Sequence, residues 1–506
     1  MFDPAKPSYF LNPAHVPLDG AGVTLINPST LEPAGVYGEP GPEVIDSVLA
    51  RVNVAQKGWA ALDQKSRARI LHQVANDIEA GDMTEVARLM TLETGKPFPE
   101  AIGEIANIPP VFRYYAEMAR NDGGKIAGTM QPGSFQFQTW EPLGTTVHIV
   151  PYNFPLILGC WSIAASLAAG NGIVLKAAPA GTLCAMKFME FFRALPADLI
   201  ACLPGGGDVG QHLIDSPKTH AVAFTGSVPT GKAVAVAAAQ HLKPAVIEAG
   251  GSDPLIVSKH ADLTVAAAGA VTAAFLQSGQ VCTSTERIYV VDEVHDAFVA
   301  AFVAHAQKLR IGDGMGISEI GPLVSEPARA KVMRLVEDAV AQGATIECGG
   351  KIAEGAGPGW FYEPTILTGV RPGMAILTEE IFGPAVSIIR VKDFDEALAM
   401  ANDSPFGLGA CAFTNDLEEA FRAVNELQAG MVWVNNPLVD NDALPFGGIK
   451  NSGLGRTLGR QGLDAFRQPK MAVIDPKAKL ADWWYPYPDD WFYSEDAQGG
   501  RSHVAG

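Results

Sequence analysis

Residues 144–176 read GTTVHIVPYNFPLILGCWSIAASLAAGNGIVLK, and from Pro142 to Leu175 no Asp, Glu, Lys or Arg occurs. A membrane-spanning helix needs about 20 mostly apolar residues in a row. Here Pro151, Asn153, Pro155, Gly170, Asn171 and Gly172 punctuate the run. A buried strand over Gly144–Val150, a turn, a buried helix over Pro155–Ala169 and a strand over Gly172–Lys176 account for it instead. The alternation continues with a helix over Gly181–Leu195, strands over Leu199–Leu203 and His220–Phe224, a helix over Pro229–Gln240 and a strand over Ala245–Glu248. Short apolar strands between helices predict a parallel sheet covered on both faces, an open doubly wound α/β domain.

Outward from this stretch, residues 45–120 read as helices, and Asp82–Thr94 stops at Gly95-Lys96-Pro97. Ser134–Trp140 alternates polar and apolar residues, as an exposed strand does. The second half repeats the α/β habit. Strands are expected at Leu255–Val257, Ile288–Val291, Val386–Val391 and Val432–Asn435, with a helix over Val294–Lys308. The chain has 506 residues, enough for about two to four domains. Its 37 basic and 55 acidic residues leave a formal charge of −18, which argues against a nucleic-acid or anionic-membrane partner. Of the six cysteines, the nearest two, Cys184 and Cys202, are 18 residues apart. That spacing excludes a CxxC zinc motif, and the number is too small for a disulfide scaffold. Reduced thiols in a cytoplasmic protein are expected, with no signal peptide at the N-terminus and no metal site.

Several residues could carry chemistry. Gly205-Gly206-Gly207-Asp208-Val209-Gly210 fits GxGxxG after a strand, where backbone amides approach a pyrophosphate. No acidic residue follows at the usual distance, so a plain glycine turn is an equal reading. Phe224-Thr225-Gly226-Ser227 places a serine where it caps a helix or meets a phosphate. Cys282 has small polar neighbours, unlike Cys160 or Cys202, which suits an accessible thiol. Glu248 ends an apolar strand at the carboxyl edge of the sheet, where such sheets bind ligands. Asn153 is either a turn residue or an oxyanion donor.

Taken together, Pro151-Tyr152-Asn153-Phe154-Pro155, Phe224-Thr225-Gly226-Ser227, Glu248-Ala249-Gly250-Gly251, Gln280-Val281-Cys282-Thr283, Glu380-Ile381-Phe382-Gly383-Pro384 and Pro445-Phe446-Gly447-Gly448 closely resemble, in order, the aldehyde dehydrogenase superfamily. The resemblance covers roughly residues 20 to 475. It implies a Rossmann-like cofactor domain (1–121 and 143–250), an α/β catalytic domain (251–450) and a protruding β oligomerisation element (122–142 and 451–480). An aromatic tail (481–506) would follow. It also implies a homodimer or homotetramer using NAD or NADP.

By the same resemblance Cys282 attacks the aldehyde carbonyl, Asn153 and the Cys282 N–H stabilise the oxyanion, and Glu248 activates water to hydrolyse a thioester. Lys176 would hold the adenosine ribose, Ser227 the pyrophosphate, Glu380 the nicotinamide ribose and Phe382 the nicotinamide side, with Ile149 along the cofactor's path. Phe154, Trp161, Asp440 and Phe446 are substrate-side candidates. A medium-chain aliphatic or aromatic aldehyde is the expected substrate. A CoA-acylating enzyme, or one for hydroxylated or cationic aldehydes, is the alternative.

Three features depart from the family. Pro179 stands where relatives carry a Glu that binds the adenosine ribose, so the repulsion that excludes a 2′-phosphate is lost and a strict preference for NAD over NADP is not expected. Ser162 and Thr457 replace a Lys and a Glu, and both charges vanish together. Asp440 and Asp442 lie in the loop that precedes Pro445, where a solvated acidic loop competes with a role in binding substrate. Finally, Trp483, Trp484, Tyr485, Tyr487, Trp491, Phe492 and Tyr493 crowd the C-terminus. So much apolar surface is expected to dock, extended, on a neighbouring subunit near the aldehyde entrance.

Overall fold

A computed structural model describes residues 2–129, 132–481, 483–487 and 489. The chain divides into two units. The larger holds residues 1–121 and 142–467, the smaller 122–141 and 468–506.

The larger unit is built on two sheets. In the first, β1 (Thr145–Ile149), β2 (Gly172–Lys176), β3 (Ile200–Leu203), β4 (Ala221–Gly226) and β5 (Ala245–Ala249) run parallel in the spatial order β5-β4-β1-β2-β3. The chain leaves β1 toward β2 and β3, then returns to place β4 on the other side of β1. Adjacent connections therefore diverge at the carboxyl ends of β1 and β4, and this reversal opens a crevice. A short hairpin, Ser8–Leu11 with Ala14–Pro17, extends the sheet antiparallel beyond β3.

The helix Ile157–Ala169 explains the uncharged stretch. It is buried almost all round, lying between β1, β2 and the helix Ile108–Asn121. Gly170, at φ 103°, closes it by donating to the Leu167 carbonyl. Among the described residues no helix is long and apolar enough to cross a membrane. Strand β1 carries polar residues into the core, and they satisfy one another. His148 Nδ1 meets Ser162 Oγ at 2.7 Å, His148 Nε2 meets Thr146 Oγ1 at 2.8 Å, and Thr146 Oγ1 meets Ser166 Oγ at 2.8 Å.

The expected helical stretch around residues 50–70 is interrupted. Helices Pro42–Ala60 and Gln64–Ala80 meet at Asp63, whose carboxylate caps the second by accepting from Ser66 N at 2.9 Å. The expected helix from Asp82 begins with that residue as its cap and ends at Gly95, at φ 80°.

The second sheet contains β6 (Asp253–Val257), β7 (Thr285–Val291), β8 (Thr345–Cys348), β9 (Thr365–Thr368), β10 (Ala385–Val391), β11 (Gly409–Phe413) and β12 (Met431–Val434), ordered β8-β9-β10-β7-β6-β11-β12. All neighbours are parallel except β8 and β9. Strand β13 (Gly453–Leu454) returns to pair antiparallel with β5, opposite Ile247 and Glu248. Residues 451–467, expected in the projecting element, thus lie in the larger unit.

The smaller unit contains a three-stranded sheet of Lys125–Ile126, Phe135–Pro142 and Arg467–Ile474. Glu141 pairs with Lys470 across it. At the tail, Trp484 N donates to Ala481 O at 3.0 Å, so the chain turns there and is not extended. Trp483, Trp484 and Tyr485 are exposed, and the rings of Tyr485 and Tyr487 lie 4.6 Å apart, tilted by 44°. Trp491, Phe492 and Tyr493 lie outside the described residues.

One buried ion pair steadies the entry to the crevice. Lys96 and Glu104 pair with both side chains wholly buried. Glu104 Oε1 also accepts from the N–H groups of Leu156 and Ile157 at 2.9 and 3.1 Å, and the Lys96 ammonium sits 3.9 Å from the Phe154 ring. Removing one partner strands the other in the core. Glu104→Ala is expected to cost about 3–5 kcal/mol in urea unfolding, and a Lys96→Met/Glu104→Leu double variant to recover a good part of the loss.

Candidate active site

The crevice at the ends of β1 and β4 encloses a cavity of about 310 Å³, lined by Asn153, Ser227, Gly250, Cys282, Glu380 and Phe382 among others. Residues far apart in sequence meet here because three kinds of segment end in it: the turns after β1 and β4, the loop after β5, and the loops flanking the second sheet.

Cys282 sits between the helix Leu263–Phe275 and β7. The chain reaches it through Gln277, Ser278 and Gly279, all at positive φ (50°, 58° and 72°). Two non-glycine residues in that conformation mark stored strain. A Cβ on Gly279 would lie 2.2 Å from the Gly383 carbonyl, so only glycine fits. The strained loop is tied to the β1 turn. Gln277 Nε2 donates to Asn153 O at 2.6 Å, and Asn153 Nδ2 donates to Gln280 O at 2.9 Å. That second bond uses one of the two amide protons of the buried Asn153 and leaves the other for a ligand.

Glu248 lies near the end of β5, directly opposite Thr225 of β4. It is 3% exposed, and its Oε1 has no hydrogen-bond partner. Burial pushes its carboxyl up to about 8, and Asp440 adds to the rise. The Cys282 thiol is also held well above its ordinary range, by enclosure first and then by the carboxyl groups of Glu248, Asp253, Glu380 and Asp440. The acidic loop is therefore within electrostatic reach of both Cys282 and Glu248. Asp440 itself is solvent-exposed, and its carboxyl is pushed upward by the protein around it and by Asp442.

The cofactor-side candidates are built around buried carboxyl groups. Glu380 Oε1 accepts from Gly251 N at 3.1 Å, and burial pushes it up to about 8. A Cβ on Gly250 would strike that carboxyl at 2.2 Å, so the Gly250-Gly251 pair makes its cradle. Phe382, at φ 54°, faces Tyr152 edge-on with ring centres 6.1 Å apart. Glu286 fixes this loop by accepting from Ile381 N and Phe382 N, both at 2.8 Å. Lys176 ends β2, buried, and donates to Gly205 O at 3.0 Å; burial lowers its ammonium to about 8. Ser227 is the N-cap residue of the helix Val228–Gln240, but its hydroxyl pairs with Thr230 Oγ1 at 2.9 Å and caps no backbone N–H. Ile149 is buried at the end of β1, in the cluster that holds Val209 and Phe224.

On the other side of the turn, Trp161 and Phe446 are buried with ring centres 4.7 Å apart. Phe154 is partly buried beneath the Lys96 ammonium. Ser162 and Thr457 line a space of about 10 Å³ together with His148 and Thr225. Sequence reasoning missed Glu286, Gln277 and Lys331, which also lines the cavity. Their only signal is a fold-level contact between distant segments. It also missed Glu39, whose Oε1 accepts from Gly206 N at 2.9 Å beside Lys176.

The model of the aldehyde dehydrogenase family matches residues 16–472. Betaine aldehyde dehydrogenase of Bacillus subtilis is 36% identical over 469 residues, covering 91% of this chain and 96% of its own length. Succinate-semialdehyde dehydrogenase [NADP(+)] of Mycolicibacterium paratuberculosis is 36% identical, covering 89% and 96%. The NAD+ complex of a Bacillus cereus aldehyde dehydrogenase superposes with a TM-score of 0.90 at 32% identity, over 93% of this chain and 97% of that one. With an α/β scaffold of the same kind and a family match across nearly its whole length, this chain belongs to the aldehyde dehydrogenase family.

Proposed function

We propose that the protein oxidises an aldehyde to its carboxylic acid with NAD or NADP, through a covalent bond to Cys282. The observation that carries this reading is the coupling of Asn153 to the Cys282 loop in a chamber that also feels the buried Glu248 carboxyl. The thiol adds to the aldehyde carbon, and the spare Asn153 amide proton with the Cys282 N–H stabilises the oxyanion. Lys176, Ser227, Glu380 and Phe382 would hold the dinucleotide, which would supply the hydride acceptor. Glu248 then takes a proton from water as it attacks the thioester. A base for water supports hydrolysis over transfer to CoA, which needs none. Where relatives carry paired charges, Ser162 and Thr457 here border, with His148, a space of about 10 Å³, roughly the least that holds one water.

For the substrate, the acidic Asp440–Asp442 loop favours an aldehyde with a cationic or hydroxylated tail. The tilted Trp161–Phe446 ring pair supports an apolar linker between that tail and the aldehyde. The name of the Bacillus subtilis relative agrees with a cationic substrate. Self-association as a homodimer or homotetramer is supported by apolar residues exposed on the smaller unit, Ile126, Phe135, Met471 and Val473. Six free thiols suit the reducing cytoplasm.

Cys282→Ala is expected to abolish NAD(P)H formation at 340 nm while dinucleotide binding persists. Asn153→Ala should lower turnover by about 100- to 1000-fold, the loss usual for one oxyanion donor. Near-normal turnover in either variant overturns the assignment.

Glu248 works as a base only when ionised, so decay of the acyl-enzyme should speed up as pH rises through about 8 and level off above it. An activated ester that acylates Cys282 without dinucleotide isolates this step. Glu248→Gln should acylate, stall, and lose the inflection.

A further inference from the structure

The end of β2 lacks the carboxylate expected after Lys176, because Pro179 stands there. The fold supplies one from elsewhere. Glu39 precedes the helix Pro42–Ala60, on the segment that leads into the first sheet's helical cover. Its Oε1 accepts the Gly206 N–H at 2.9 Å, at the start of the helix Gly207–Asp215. Lys176 Nζ donates to the neighbouring carbonyl, Gly205 O, at 3.0 Å. The ammonium and the carboxylate thus grip the same Gly205–Gly206 peptide from its two polar ends. Burial lowers the Lys176 ammonium and the Glu39 charge opposes that shift, as expected for neighbours. Glu39 is exposed, and its Oε2 has no protein partner among the described residues.

Two physical consequences follow. A helix start with open N–H groups attracts phosphate, but here the protein's own carboxylate already holds the Gly206 N–H. A carboxylate beside a dinucleotide's adenosine accepts a ribose hydroxyl and repels a 2′-phosphate. We propose that Glu39 selects NAD over NADP, taking the place of the acid missing at Pro179. This rests on the reading that the adenosine ribose lies at Lys176.

Equilibrium titration of the apo-enzyme's tryptophan fluorescence with NADH and NADPH tests it. The unmodified protein should bind NADH at least about tenfold more tightly, which is about 1.4 kcal/mol of discrimination. Glu39→Gln should bring the two within about threefold, chiefly by strengthening NADPH. Glu39→Asp, which keeps the charge on a shorter arm, should retain part of the preference. High salt should narrow the gap in the unmodified protein, because it screens exposed charges. Lys176→Ala is the control and should weaken both dinucleotides. If it weakens neither, the adenosine site is misplaced and the proposal fails with it. If it weakens both while Glu39→Gln leaves the NADH/NADPH ratio unchanged, the site stands and the role of Glu39 is overturned. Equal binding of both dinucleotides to the unmodified protein overturns it as well.

Discussion

Buried carboxyl groups that accept backbone N–H bonds hold this molecule's loops in place. Glu104 takes the N–H groups of Leu156 and Ile157, Glu93 those of Leu183 and Cys184, and Glu286 those of Ile381 and Phe382. Asp253 takes Gly409 and Glu380 takes Gly251. Each segment turns sharply where the helix or strand ladder offers no acceptor, and an orphaned buried N–H is costly. A two-oxygen acceptor on a short arm can hold two successive amides, so it fixes direction as well as position. The turn after β1 and the Glu380–Phe382 loop inherit their geometry from such anchors, whereas the Cys282 loop is tied by the side-chain amides of Asn153 and Gln277.

The same acids set the electrostatics. Glu93, Glu286, Asp253, Glu380 and Glu248 are all pushed upward by burial. Several of them press in turn on Cys282. Enclosure and these carboxyl groups together favour the neutral thiol over the thiolate.

The first sheet was legible because β1 to β5 are short apolar runs bounded by glycine, proline and charge. The second was half legible. Strand β11, Gly409–Phe413, reads GACAF, with no β-branched residue, yet it pairs between β6 and β12 and is fully buried. Packing decides such a strand, and local preference does not. Cys282, Glu248 and Asn153 each stand in a short distinctive motif, so the candidate site could be named before the fold was seen. Glu39 could not. Nothing in its neighbourhood marks it, and its meaning depends on a glycine amide brought to it by the folding of β3 and the turn that follows. The acidic loop was open to two readings: Asp440 is exposed, as a solvated loop requires, yet its charge also reaches Cys282.

The contact between Gly279 and Gly383 has a mechanical side. With no clearance for even one methyl group, the loop that delivers the sulfur and the loop that follows Phe382 touch backbone to backbone. Neither can advance on the other, and any retreat of one opens a gap beneath its neighbour. The spacing between the loop that carries Cys282 and the loop that carries Phe382 is thus set at this point by backbone contact alone.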